Sequence, residues 1–186
     1  NALAAAEIVI AGQTFKTDGF GKAAFTVQIP KSATHVVVAV KKDGFISQSL
    51  RIEAGQLEQF SANLLNVKQT VLIDKIEEAQ VIQSVYQNAQ ITIPENAFVL
   101  PNGQPATGAV TVAFTPWDIT AANLNAMPAN GVARDTQGNI VNLISAGMIT
   151  ATFTNAAGQK LQLAAGKTAD IQMDLPVASI NNQKLL

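Results

Sequence analysis

Ala23-Ala24-Phe25-Thr26-Val27-Gln28-Ile29-Pro30 and, one turn later, His35-Val36-Val37-Val38-Ala39-Val40 are the two stretches on which the reading of this chain depends. In the first, apolar and polar residues alternate. A period of two places Phe25, Val27 and Ile29 on one face of a strand and Thr26 and Gln28 on the other. Pro30 has no N–H to give to a ladder and stops the strand. The second stretch is a β-branched run of the kind that suits a central strand, and it predicts burial on both faces.

Outward from this pair the same grammar continues. Towards the N-terminus, residues 7–11 form a short apolar strand. After Gly12, residues 13–17 form its hairpin partner, and Asp18-Gly19-Phe20-Gly21 reads as a turn in which glycine supplies positive φ. Towards the C-terminus, Lys41-Lys42-Asp43-Gly44 is a turn, residues 45–52 alternate up to Gly55, and residues 60–65 add one more strand. A boundary follows near Asn66. Residues 67–90 read as an extended connection, although Ile73, Ile76 and Glu77-Glu78-Ala79 could also seed a helical turn.

Beyond it, residues 89–93 run as a strand to Pro94, Asn102-Gly103 is a turn, and residues 109–114 are a strand ending at Thr115-Pro116. A loop at 116–131 is too long for a plain hairpin. Then come a turn at 135–139, a strand at 148–153, a turn at 155–158 and a last strand at 168–175, with 181–186 as a tail. The expectation is an all-β chain of two tandem antiparallel β-sandwich domains: residues 1–66, a connection at 67–90, and residues 91–186 carrying the long loop.

Composition narrows the function classes. With 12 Lys+Arg against 13 Asp+Glu the formal charge is −1, so no global field draws nucleic acid or an anionic lipid surface. Only 13% of residues are charged while 48% are hydrophobic, and Ala, Thr, Asn and Gln cover the exposed strand positions, a composition suited to a secreted or cell-surface bacterial protein. The absence of cysteine excludes disulfides, thiolate nucleophiles and thiolate metal sites. Residues 1–7 lack the basic region of a signal peptide, and no apolar run approaches the roughly 18 residues of a membrane span. The chain reads as a mature protein or as an excised piece of a longer one.

The pattern over residues 13–52, with Thr17-Asp18-Gly19-Phe20-Gly21, an alternating strand, and a β-branched strand leading into Lys42-Asp43-Gly44-Phe45, resembles the carboxypeptidase regulatory-like, transthyretin-like sandwich. That family usually has Tyr where Phe45 stands and has a strand before the segment matching residues 6–10. Residues 91–98, 147–153 and 163–169 are similar to bacterial surface domains related to the extracellular region of cartilage intermediate layer protein and, more distantly, to the ZU-type sandwich. The resemblance implies an accessory, spacing or adhesive role with no catalytic residues and no cofactor. Some ZU-type relatives cleave themselves at His-Phe-Ser, a tripeptide this sequence lacks.

Each candidate for chemistry has an ordinary alternative. His35, the single histidine, would need a nucleophile and an orienting carboxylate to act as a base, and otherwise is a strand-end residue. Asp118 and Asp135 could form a glycosidase pair only if held across a cleft, and otherwise cap turns. Asp18-Gly19-Phe20-Gly21 and Asp135-Thr136-Gln137-Gly138-Asn139 could offer oxygens to calcium, but neither has the spaced carboxylates of an EF-hand. Related surface sandwiches carry Lys–Asn isopeptide bonds; of the first-domain lysines only Lys16 and Lys41 lie near strand centres or ends, and no acidic motif pairs with either. Gly19-Phe20-Gly21 precedes no helix that could hold a phosphate. Trp117, with Asp118 and Met127 in the same loop region, is the candidate contact surface for a protein or sugar partner, unless the ring simply caps its own sandwich.

These readings predict a non-enzymatic structural or adhesive module, a stalk, spacer or assembly subunit. Its partners are neighbouring domains or other subunits, engaged in part by strand addition at an open sheet edge. The alternatives are a carbohydrate-binding module and an accessory domain of a secreted hydrolase.

Overall fold

The computed structural model describes residues 2–117, 126, 132–142 and 147–174. These residues are all-β, with fourteen strands in antiparallel sheets and one short 3-10 turn at Ala54–Gln56. No helix among them is long and apolar enough to cross a membrane. The fold divides into two compact units: residues 1–66 with 120–144, and residues 67–119 with 145–186.

In the first unit, β1 (Glu7–Ile10) and β2 (Gln13–Lys16) are joined by Ala11-Gly12, both at positive φ (49° and 75°), the geometry of a type I′ turn that matches the twist of a hairpin. β3 (His35–Lys41) and β4 (Gln48–Glu53) complete the sheet in the order β2-β1-β3-β4. Ile8 lies opposite Val40 and Ile10 opposite Val38, and these four are buried with Ala6 as the centre of the core. β3 is central in the sheet as expected from its β-branched run. It is buried on one face only, because Val37 on the other is 57% exposed.

The second layer of this unit departs from the sequence reading. Residues 23–29 keep the predicted alternation and residues 60–64, read as a strand, alternate too: Ala23, Phe25 and Val27, and Phe60, Ala62 and Leu64, pack on the core, while the residues between them face out. Neither segment joins a ladder. Side-chain burial follows from periodicity alone, whereas a ladder also needs main-chain hydrogen bonds to a neighbouring strand, and these segments make none among the described residues. A small hairpin, β10 (Val132–Arg134) with β11 (Ile140–Asn142), belongs to the same unit.

In the second unit, β9 (Val110–Trp117) is the spine, pairing with β12 (Met148–Asn155) on one side and β5 (Gln69–Ile73) on the other. It continues through Pro116, where the sequence reading ended it. A second sheet holds β6 (Gln80–Gln83), β7 (Ala89–Ile93) and β14 (Asp170–Met173) in the order β14-β7-β6, and β8 (Phe98–Val99) pairs with β13 (Gln162–Leu163). Residues 67–90 are therefore not a bare connection, since they supply two strands of this unit. Val110, Val112 and Phe114 from β9 and Ile91 and Ile93 from β7 are almost wholly buried in one shared core, with Phe98 and Phe153 in ring contact at 5.1 Å.

One side chain joins the edges of the two main sheets of this unit. The Gln69 amide donates from Nε2 to the Gln83 carbonyl at 2.9 Å and accepts the Val85 N–H through Oε1 at 3.0 Å, standing in for a peptide unit along β6. Edge groups that would otherwise be free are thereby satisfied.

Candidate functional site

Among the described residues singled out for chemistry, none of Lys16, Asp18, His35, Lys41, Trp117 and Asp135 bonds to another of them. Trp117 ends β9 and is 4% exposed; its indole N–H donates to the Thr150 hydroxyl at 2.8 Å. A ring so enclosed presents no face for stacking on a sugar. Asp118 and Met127 lie outside the described residues.

His35 is exposed at the start of β3. Its Nδ1 lies 3.1 Å from the Thr34 hydroxyl and 3.2 Å from Arg51 Nη2, and Arg51 is 3.8 Å from Glu53. An arginine that must donate makes Nδ1 the acceptor and leaves the ring proton on Nε2. Lys41 faces solvent in a 3.8 Å ion pair with Glu7, and Lys16 is exposed, so neither is the buried lysine an isopeptide bond requires.

The two aspartate loops are a single repeated device. In Asp18-Gly19-Phe20-Gly21-Lys22 the carboxylate accepts the N–H of Phe20 and Lys22, and in Asp135-Thr136-Gln137-Gly138-Asn139 it accepts those of Gln137 and Asn139. Asn155-Ala156-Ala157-Gly158-Gln159 repeats the pattern with an amide oxygen. The backbone N–H of Lys22 chiefly, then that of Phe20, holds Asp18 below its ordinary value of 3.8. Asp135 is lowered first by the Asn139 side chain and then by the Asn139 backbone. Oxygens already spent on their own loop are not aimed at a cation.

A concavity lies where the sequence was read as continuous strand. In the first unit a groove of about 680 Å³ runs between residues 22–25 and 57–64. Its floor is the inner face of the sheet, at Ala6, Ile8 and Val40. Phe25 stacks on Phe15 at 4.4 Å and tilts against Phe60 at 6.2 Å, so aromatic rings set one wall. Ala2 and Leu3 close one end against Gly21, whose φ of +69° and lack of Cβ are both needed: a Cβ there would stand 2.8 Å from the Leu3 nitrogen. Thr17 fixes this end, its hydroxyl accepting the Ala6 N–H at 2.9 Å and donating to the Leu3 carbonyl.

The walls are unusual in their backbone. Among the described residues, no backbone group of residues 23–29 has a hydrogen-bond partner, and within 58–64 only the Asn63 N–H has one, the Gln48 side-chain oxygen at 3.1 Å. The segments run in opposite directions, 22–29 leading to the start of β3 and 58–65 returning to Leu65, whose carbonyl accepts the Ile46 N–H. The sequence signalled this only as two alternating segments without a partner assigned to either. No protein-family model, no curated protein and no solved structure matches the chain.

Proposed function

We propose that this chain is a non-enzymatic structural or adhesive module, a stalk, spacer or assembly subunit of a secreted or cell-surface bacterial protein, made of two antiparallel β-sandwiches in tandem. The observation that carries the reading is the pair of compact all-β units, each with its own core. Outward strand positions mix neutral polar residues, as in the row Gln83, Gln90 and Gln172 across three neighbouring strands, with exposed apolar ones such as Val37, Leu72, Val81 and Ile171. β9, laddered along eight residues to β12 and five to β5, is the most extensively paired strand among the described residues, and the proposal gives it the load-bearing part. The resemblance of residues 13–52 to the carboxypeptidase regulatory-like sandwich belongs to the same proposal. Its partners are neighbouring domains or other protein subunits. The carbohydrate reading depended on Trp117 as a contact ring and draws no support from a ring that is buried.

Single-molecule pulling of the full chain by its two ends tests the proposal. The expected record has two separate resisted unfolding events, one per unit; a chain that extends without resistance would remove the load-bearing role.

A further inference from the structure

We infer that the groove of the first unit is a strand-acceptor site, and that its occupant is an extended polypeptide strand from outside this chain, uncharged and with small apolar side chains at alternate positions. Residues 22–25 and 57–64 flank the groove, and the main-chain donors and acceptors of 23–25, of the 26–29 stretch that continues it, and of 58–64 have almost no partner among the described residues. Unpaired strand edges of this kind are templates for another main chain. A lipid tail or an aromatic ligand could fill the apolar floor but would leave these groups unpaired at a cost for each one kept from water. A strand satisfies both walls at once. Because the walls run in opposite directions, it would lie parallel to one and antiparallel to the other.

The lining sets the side-chain chemistry. Alternate residues of the incoming strand would point down onto Ala6, Ile8 and Val40 beside the Phe25–Phe60 ring contact, a floor that accepts apolar groups. The others would point to solvent, as Ala24, Thr26, Ser61 and Asn63 already do on the walls. Only Lys22 and Glu58 among the lining residues are charged, and they are opposite in sign, so a strand of either net charge gains nothing.

The inference names the partner chemistry of one surface of the proposed assembly module, and it can fail separately: a chain that bears no load but takes up the strand would sink the load-bearing role and leave this one standing. The test is titration of the full chain with the end-capped peptide Val-Thr-Val-Thr-Val-Thr-Val, followed by residue-resolved amide NMR. Saturable binding with shifts confined to the walls, residues 22–25 and 57–64 with the adjoining 26–29, and to the floor at Ala6, Ile8 and Val40 is expected. The same peptide N-methylated at alternate amides should bind at least about tenfold more weakly, since it keeps the side chains and loses main-chain donors. Ala62→Leu, which fills the groove, should melt at a higher temperature than the parent and lose binding. Equal binding of the N-methylated peptide, no binding of the parent peptide, or shifts elsewhere would overturn the inference. So would walls already paired without peptide: pairing that grows with protein concentration would assign the groove to a second copy, and pairing independent of it to the chain itself.

Discussion

Replacing Thr17 by valine removes a hydroxyl and keeps the shape. That hydroxyl is the one side chain tying residues 3–6 to the end of β2, accepting from Ala6 N–H and donating to the Leu3 carbonyl, while the Thr17 backbone pairs with Ala5 and Ala6 in either variant. Each bond contributes about 1 kcal/mol net, and Ala6, 3% exposed, is left with a donor that water reaches poorly, which adds about 1 kcal/mol more. The expected loss is therefore about 2 to 3 kcal/mol. Thr17→Ser keeps both bonds, removes one methyl and should cost about 0.5 to 1 kcal/mol. The single Trp and single Tyr, Trp117 and Tyr86, both lie in the other unit, so the first unit is best followed through the methyl resonances of Ile8 and Ile10 in urea. The valine variant should unfold at a midpoint lower by about 1 M, given the usual slope for a small domain. A valine variant with the parent midpoint, or a serine variant as weak as valine, would refute the role given to the hydroxyl.

Ala11 holds φ at +49° in the β1–β2 turn, and Ala11→Asn should stabilise the first unit by about 0.5 to 1 kcal/mol, seen as a higher melting temperature, since asparagine tolerates that region better. Asp18 and Asp135 have lowered folded-state values, so the stability they contribute is present above their ordinary 3.8 and is lost as pH falls through the lowered values. The double variant Asp18→Asn/Asp135→Asn, whose amides can make the turn that Asn155 makes, should match the parent near neutral pH and show a shallower loss in acid titrations below 3.8. Gln69→Ala should cost about 1 to 2 kcal/mol in denaturant unfolding and speed exchange of the Val85 amide, because it frees two backbone groups of the β6 edge.

Much of the fold was legible in the sequence where local chemistry was sufficient. Gly12 between residues 7–11 and 13–17 marked the first hairpin, although Ala11 belongs to the turn and not to the strand, and residues 109–114 read as a strand whose inward face holds Val110, Val112 and Phe114. Pairing was not legible to the same degree. Phe25, Val27, Phe60 and Leu64 announce an inward face equally well with or without a ladder, so the open layer looked closed. Gln69 to Ile73 and Gln80 to Gln83 are short and polar-flanked, giving too few periods to separate strand from connection. Trp117 shows why site residues were the weakest part of the reading: its sequence context does not distinguish a ring that stacks on a ligand from one that bonds Thr150 across its own sheet. The groove depends on what is absent between two segments distant in sequence, which no window along the chain can reveal.

The account stands on an asymmetry within the first unit, one laddered layer facing one unladdered layer. Residue-resolved amide hydrogen exchange of the chain alone, at low concentration and neutral pH, measures it directly. The central strand β3 should be strongly protected on both sides by β1 and β4, while the amides of residues 23–29, and those of 58–64 apart from Asn63, exchange near open-chain rates. Protection of those two segments comparable to that of β3 would contradict the account.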